Sequence, residues 1–250
     1  MTTKSLVIVL AAAAAGLSSL NAQVTVAADD FEGAGILSGG TGFSGNWAVT
    51  GPGGTFANTG SPIGGSQSLG IFSNGGLTTI SRSFATPVAT IGQELTIDVA
   101  LQPLYDVVAL SGSEFGINLI SDAGVYLTFK FNTGNTSLVA NDGGADFTLG
   151  GITFTEDAVY DFSITTIVGS NAYEYTVDER GSSESSFSAS PFTANNPLPN
   201  SFTGVEIFMN APSGAGNDLI VDDFEGVVPE PAAASAVAGL LTLALIARRR

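Results

Sequence analysis

Two identical acidic segments stand near opposite ends of the chain: residues 29–33 and residues 222–226 both read DDFEG. Oxygen atoms of carboxylates and carbonyls are the ligands that Ca2+ prefers, and a site takes about six to eight of them, more than one short segment supplies. If the fold makes these segments neighbours, Asp30 and Asp223 would share one structural calcium ion. The alternative is that these acids are solvated strand ends and bind no metal.

The single tryptophan, Trp47, lies in a glycine-rich stretch over residues 42–54. A flat aromatic ring offers the C–H groups of a sugar an apolar platform, and a loop of this composition would expose it. The sequence therefore predicts Trp47 as a ligand-binding residue for a glycan. The alternative is a core position, which is the more frequent place for a lone large aromatic residue in an all-β domain.

Cysteine and histidine are both absent from the sequence. Their absence excludes a Ser-His-Asp triad, a cysteine nucleophile and the usual zinc and iron sites. It also excludes disulfides, so burial of a core, with or without a metal ion, must stabilise the domain. Chemistry by carboxylates alone, as in glycoside hydrolysis, is not excluded.

The charge of the chain is strongly acidic, with a net value of -16. Seven residues are basic, but only Arg82, Lys130 and Arg180 lie between the two terminal segments described below. The chain has 23 acids, of which 22 remain when Glu230 is set aside, so the charge of this central part is 3 − 22 = −19. Nucleic-acid binding needs cations that displace counterions from phosphates, so no nucleic-acid partner is expected.

The central part, residues 24–226, shows apolar residues with a period of two rather than 3.6. Turn sequences rich in Gly, Asn and Asp separate the alternating runs, and no helical pattern precedes the C-terminal tail. About ten to thirteen short strands predict an all-β fold, an antiparallel two-sheet β-sandwich of the jelly-roll type. The alternating apolar sets are Leu95, Ile97, Val99 and Leu101; Val125, Leu127, Phe129 and Phe131; and Tyr173, Tyr175 and Val177.

The N-terminus, residues 1–22, has the features of a secretory signal peptide. Lys4 precedes an apolar run over residues 6–17, and the small residue Ala22 is suited to a signal peptidase. Leu20 is not the small residue preferred two positions before the last residue of a signal peptide, so cleavage near Ala27 is the competing expectation.

The C-terminal tail, residues 227–250, has three parts in a fixed order. Pro229, Glu230 and Pro231 come first, an apolar run over residues 232–247 follows, and Arg248, Arg249 and Arg250 end the chain. A helix over the apolar run would rise about 24 Å, a marginal transmembrane span. The arginines would keep the C-terminus cytoplasmic, and the two prolines would leave an extended, accessible peptide outside. An ordinary C-terminal anchor is the alternative.

In its order and terminal position this tail resembles the PEP-CTERM sorting signal of Gram-negative bacteria that make exopolysaccharide. The resemblance covers only the tail and implies that exosortase, a membrane-embedded cysteine transpeptidase, processes the protein. It also implies transient anchoring in the inner membrane and delivery to the cell surface or extracellular matrix. The tail is thus a substrate and does not reveal what the central part does.

A second resemblance concerns the central part. Its opening DDF, its Phe115-Gly116-x-x-Leu119 segment and its closing Val221-Asp-Asp-Phe224 are similar to concanavalin A-like or carbohydrate-binding-module-like jelly rolls. In such folds the first and last strands commonly lie close together, and a structural calcium ion is often bound near them.

Sandwich-fold glycosidases of this kind carry a Glu-x-Asp-x-x-Glu strand, which is missing here. Glu94 and Asp98 are four residues apart, and Glu174, Asp178 and Glu179 have other spacings. We therefore expect no catalytic residues and a non-catalytic surface or matrix protein, structural or associated with exopolysaccharide. The alternative is a polysaccharide-active hydrolase or lyase that uses another carboxylate pair.

Overall fold

The computed structural model describes residues 23–32, 35–60, 63–104, 113–132, 137–188, 192–212 and 218–230. Within these residues the chain forms sixteen β-strands and no helix. The strands build one unit, Thr25–Val228, in which two antiparallel sheets enclose a continuous apolar core. The expected all-β, two-sheet sandwich is confirmed.

The first sheet, sheet A, has nine strands in the order β13-β12-β11-β6-β16-β4-β3, with β1 paired to β16 and β14 paired to β12. The strand β16 is central in this sheet although it is the last in sequence. The strands of sheet A are β1 (Gln23–Asp29), β3 (Gly54–Asn58), β4 (Ser68–Phe72), β6 (Glu94–Leu104), β11 (Tyr160–Ile167), β12 (Ala172–Glu179), β13 (Ser185–Phe187), β14 (Phe192–Thr193) and β16 (Asp218–Pro229).

The second sheet, sheet B, has seven strands in the order β10-β9-β8-β7-β15-β5-β2. Its two longest strands, β5 and β15, pair with each other near one edge. The strands of sheet B are β2 (Phe43–Thr50), β5 (Gly76–Val88), β7 (Glu114–Ser121), β8 (Gly124–Asn132), β9 (Ser137–Asn141), β10 (Phe147–Thr153) and β15 (Phe202–Ala211).

The alternating patterns of β6 and β12 place their apolar residues in the core, as expected. The alternation predicted for β8 is partly wrong. Val125 is 50% exposed and its neighbour Tyr126 is 1% exposed, whereas Leu127 and the phenylalanines after it are buried. The pairing of β7 with β8 shifts at this point, because two residues of β8 oppose one of β7. Such a bulge reverses which side chains face the core.

The tail expectations concern residues that are mostly outside the described ranges. Pro229 is the last residue of β16, and Glu230 follows it and is exposed. Pro231 and Arg248–Arg250 lie outside the described residues, as does the signal peptide over residues 1–22. In the described ranges no helix is long and apolar enough to cross a membrane.

Candidate functional site

The two DDFEG segments meet in the folded unit, as the sequence predicts. β1, which ends at Asp29, pairs with β16, which contains the second segment. Between them lies a shallow, open depression of about 550 Å³, and residues of both segments line it, among them Asp30, Asp223 and Glu225. Pairing of the first strand with the last thus brings together acids that are far apart in sequence.

The first acid of the N-terminal segment, Asp29, is a structural residue. It is 2% exposed, and its Oδ2 accepts hydrogen bonds from Trp47 Nε1 (2.9 Å) and from the Arg82 guanidinium (2.9 Å). Its Oδ1 accepts a bond from the backbone N–H of Phe31 (3.0 Å). Burial lowers the pKa of Arg82, and the charge and hydrogen bond of Asp29 oppose that shift. Because each buried charge has its partner, Asp29 ties the end of β1 to sheet B.

The first acid of the C-terminal segment, Asp222, has an equivalent role. It is 1% exposed, and its Oδ2 accepts bonds from Ser68 Oγ (2.7 Å) and from the backbone N–H of Gly64 (3.1 Å). Burial raises the pKa of this carboxyl, although these hydrogen bonds oppose the shift. Asp222 thus holds the segment before β4 against the middle of sheet A.

The second acids, Asp30 and Asp223, point to solvent. Asp30 Oδ1 accepts a bond from the backbone N–H of Glu32 (3.3 Å). The Asp223 side chain is 55% exposed and lies 3.6 Å from the Arg180 guanidinium, which also pairs with Asp161. Among the described residues, no three acidic side chains are grouped closely enough to hold a metal ion. The shared calcium site of Asp30 and Asp223 therefore stays a prediction.

Trp47 lies in the core and is 3% exposed, which corrects the expectation of a surface platform. Its ring contacts Phe31, Phe43 and Phe224, with centroid distances of 5.8, 5.5 and 6.0 Å. Phe31 and Phe224 are the phenylalanines of the two DDFEG segments, so both segments pack onto one indole. With its N–H bonded to Asp29 and its faces covered, Trp47 has no surface to offer a sugar.

The outer face of sheet A carries a different set of polar and aromatic side chains. Residues that are directly opposite in neighbouring strands share a face, and the strand register places five of them in one row across the sheet. Four strand spacings give this row a length of roughly 19 Å. The row consists of Phe187 (β13), Thr176 (β12), Ser163 (β11), Asp98 (β6) and Glu225 (β16).

The aromatic end of this row is open to solvent. Phe187 is 63% exposed, although phenylalanine is an apolar residue. A cleft of about 350 Å³ lies beside it, and the hydroxyls of Ser163, Thr165 and Thr176 and the carboxylate of Glu174 line this cleft. The cleft thus combines an exposed aromatic ring with hydrogen-bonding groups, which is the chemistry that sugar recognition requires.

The acidic end of the row consists of Asp98 and Glu225, which face each other across β6 and β16. Burial raises the pKa of Asp98; a hydrogen bond from Ser163 opposes the shift, and the negative charge of Glu225 adds to it. Glu225 is exposed and accepts a hydrogen bond from Thr25 Oγ1 (2.9 Å). The row therefore ends in two like charges at close range, at the edge of the depression between the DDFEG segments.

This row was not predicted from the sequence. Asp98 was considered there for its spacing from Glu94, which does not match the glycosidase pattern, and Phe187 belongs to a strand of three residues with no periodic signal. The alternation of β6 and β12 already places Asp98, Glu174 and Thr176 on solvent faces. Only the strand order could show that these faces are neighbours.

The β-sandwich is similar in fold to solved structures. No family model matches this chain, and no curated protein matches it. The CBM2 module of Lactobacillus casei BL23 phage J-1 evolved Dit is similar at a TM-score of 0.56 and 12% identity, over 84% of this chain and 97% of that one. The cellulose induced protein Cip1 is similar at a TM-score of 0.52 and 17% identity, over 80% of this chain and 95% of that one. A sialidase is similar at a TM-score of 0.55 and 8% identity, but the match covers 83% of this chain and only 19% of the sialidase. At these identities the likeness shows the fold alone.

Proposed function

We propose that this chain is an exported, non-catalytic β-sandwich that binds glycans through the outer face of sheet A. The observation that carries this proposal is the exposed ring of Phe187 beside a cleft lined by hydroxyls. Trp47, the platform that the sequence suggested, is buried and has no part in it. A fold similar to that of a CBM2 module is compatible with such a role.

The chemistry of the cleft beside Phe187 fits a polyhydroxyl ligand. The ring of Phe187 can cover the apolar C–H face of a sugar, while Ser163, Thr165 and Thr176 exchange hydrogen bonds with its hydroxyls. A single aromatic contact adds about 0.5–1.5 kcal/mol beyond burial, so one platform gives dissociation constants near 0.1–1 mM. Such affinity is effective when many copies bind along one polymer.

The test is the retention of purified protein in gels that contain polysaccharides, with Phe187→Ala as the main variant. We expect this variant to migrate as in a gel without polysaccharide, and Phe187→Tyr, which keeps an aromatic face, to remain retarded. Leu77→Ala is the matched control, because Leu77 is an exposed apolar residue (52%) in β5 of sheet B. Unchanged retention of Phe187→Ala would refute the assignment of this face.

For the tail we propose sorting by exosortase after export and removal of the signal peptide by a signal peptidase, with delivery to the cell surface or extracellular matrix. The support is the order of the Pro-Glu-Pro triplet, the apolar run and the three terminal arginines. The glycan-binding face would then act where exopolysaccharide is present.

A second candidate function, hydrolysis of a glycosidic bond, is favoured by one observation: the pair Asp98 and Glu225. Directly opposite residues have Cβ atoms about 4.5–5.5 Å apart, close enough for their carboxyl groups to adopt the separation of about 5–5.5 Å that retaining glycosidases use. A raised pKa on Asp98 would suit a general acid. Release of reducing ends from a panel of exopolysaccharides, lost in Asp98→Asn and in Glu225→Gln, would establish this function instead of the non-catalytic one.

A further inference from the structure

None of the cations in the described part of the folded unit forms an ion pair with a carboxylate of the row on sheet A. Its described residues include three basic side chains, and each forms an ion pair with an acid outside that row. The pairs are Arg82 with Asp29; Lys130 with Glu114 and Asp146; and Arg180 with Asp161 and Asp223.

The carboxylates along the row therefore have no ion-pair partner in the described part of the chain. Arg180 is bound to Asp161 and Asp223, which are each two residues along their strands from the row members Ser163 and Glu225. Asp98 and Glu225 face each other at one end, and Glu174 lines the cleft at the other. Two like charges at this range repel, and partial burial of Asp98 strengthens that repulsion. A ligand that brings a positive charge between them would remove an unfavourable interaction as well as add a favourable one.

We propose that this face selects glycans that carry protonated amines, such as oligomers of de-N-acetylated hexosamine, over neutral and acidic glycans. The inference rests on the proposed glycan-binding function and names its substrate class. Phe187 and the hydroxyls between it and Asp98 hold the sugar rings along the row, and the acids at both ends receive the ammonium groups. An ammonium group donates three hydrogen bonds and suits a carboxylate acceptor.

Exclusion of acidic polymers follows from the same charges. A uronic acid placed over Asp98 and Glu225 would add a third carboxylate to an uncompensated pair. Like-charge contacts at an interface weaken binding to the wrong partner, so the face discriminates by repulsion as well as by attraction. The net charge of -16 on the whole chain acts in the same direction at longer range.

The experiment compares four soluble oligomers of equal length by calorimetry at mildly acidic pH, where sugar amines are protonated. They are a glucosamine oligomer, its N-acetylated form, a neutral glucose oligomer and an oligouronate. We expect the glucosamine oligomer to bind at least about tenfold more tightly than the N-acetylated form, which corresponds to about 1.4 kcal/mol. The preference should decrease between about 20 mM and about 150 mM salt, because exposed charges are screened over about 10 Å.

Substitutions distinguish specific binding of the amine at this row from general attraction between an acidic protein and a polycation. Asp98→Asn and Glu225→Gln should each reduce the preference for the amine-bearing oligomer severalfold, while the affinity for the neutral oligomer is unchanged. Glu206→Gln is the matched control: it removes one charge from sheet B and keeps an acceptor for Asn118 Nδ2. An oligolysine of equal charge should bind weakly, since it lacks the ring that stacks on Phe187.

The results that would refute amine selection differ from those that would refute glycan binding. If no oligomer binds, or Phe187→Ala changes nothing, glycan binding by this face fails. If neutral, N-acetylated and amine-bearing oligomers bind equally in a Phe187-dependent manner, the glycan-binding function stands and amine selection is refuted. Equal binding of oligolysine, or an equal loss in Glu206→Gln, would also refute it.

Discussion

Replacement of Trp47 is the most direct test of how the domain is held together. The indole is 3% exposed, contacts three phenylalanines and donates its N–H to Asp29. Truncation of a fully buried large aromatic residue to alanine costs about 3–5 kcal/mol. In a domain of this size each kcal/mol lowers the melting temperature by about 2–4 °C, so Trp47→Ala should melt about 6–20 °C below the wild type.

Trp47→Phe separates the ring from its hydrogen bond. This variant keeps most of the apolar packing but removes the donor to Asp29, which then retains Arg82 as its side-chain partner. A hydrogen bond to a charged group contributes about 1.5–3 kcal/mol, so the loss should be smaller than in Trp47→Ala. Circular dichroism melts of both variants and the wild type measure the two losses.

Phe187→Ala is the matched control for this experiment. Phe187 is a large aromatic residue on the surface, and substitutions at such positions change stability by about 0.5 kcal/mol or less. Its melt should therefore coincide with that of the wild type while its polysaccharide retention is lost. A Trp47→Ala protein that melts within about 2 °C of the wild type would refute the core role of Trp47.

The remaining predictions concern the tail, the metal and the pH. Alanine at Pro229 and Pro231 should leave export intact but block processing, so that immunoblots show the unprocessed mass in the membrane fraction; normal processing would contradict the exosortase proposal. Calcium at a hundredfold excess over its dissociation constant should stabilise the protein by about 2.7 kcal/mol. The calcium site of Asp30 and Asp223 would be refuted if calcium and chelator leave the melting temperature unchanged. It would also be refuted if calcium raises the melting temperature of Asp30→Ala and Asp223→Ala as it does that of the wild type. The raised pKa of Asp98 means that its stabilising contribution is present below its ordinary value of 3.8 and is lost as pH rises through the folded-state pKa. As the pH rises from below 3.8 to above the folded-state pKa, the melting temperature of the wild type should therefore fall relative to that of Asp98→Asn. A difference between the two melting temperatures that stays constant over this range would show that the pKa is not shifted.

The fold class could be predicted from the sequence because it depends on the local alternation of apolar and polar residues. The apolar residues of β6 and β12 repeat every second position, and burial on one face of a sheet follows directly. The segments that sequence analysis did not assign, such as β2, β3 and β13, are short or glycine-rich and have no such period. The bulge in β8 was also inaccessible, since it arises from the pairing partner and not from the strand itself.

The candidate site was only partly accessible, for a reason of topology. The meeting of the two DDFEG segments could be predicted because one segment begins at the end of the first strand, the other lies in the last strand, and these strands are commonly neighbours in jelly rolls. The facing of Asp98 and Glu225 could not, because no sequence signal states that β16 inserts between β4 and β6. Trp47 was misplaced since a glycine-rich stretch indicates a loop, whereas here it forms β2 and turns its indole inward.

The two DDFEG segments also separate the interactions that close the sandwich from the side chains on the outer face of sheet A. In each segment the first acid is buried with its partners and the phenylalanine packs on Trp47, so closure of the sandwich is completed from inside. The second acids are left at the surface, where one is near Arg180 and neither is needed to bury the core. Since the closing interactions point inward, the row residues of β6, β11 and β12 take no part in closing the sandwich. Loss of stability and loss of binding should therefore follow from different substitutions: Trp47 and Asp29 for the first, Phe187 and Asp98 for the second.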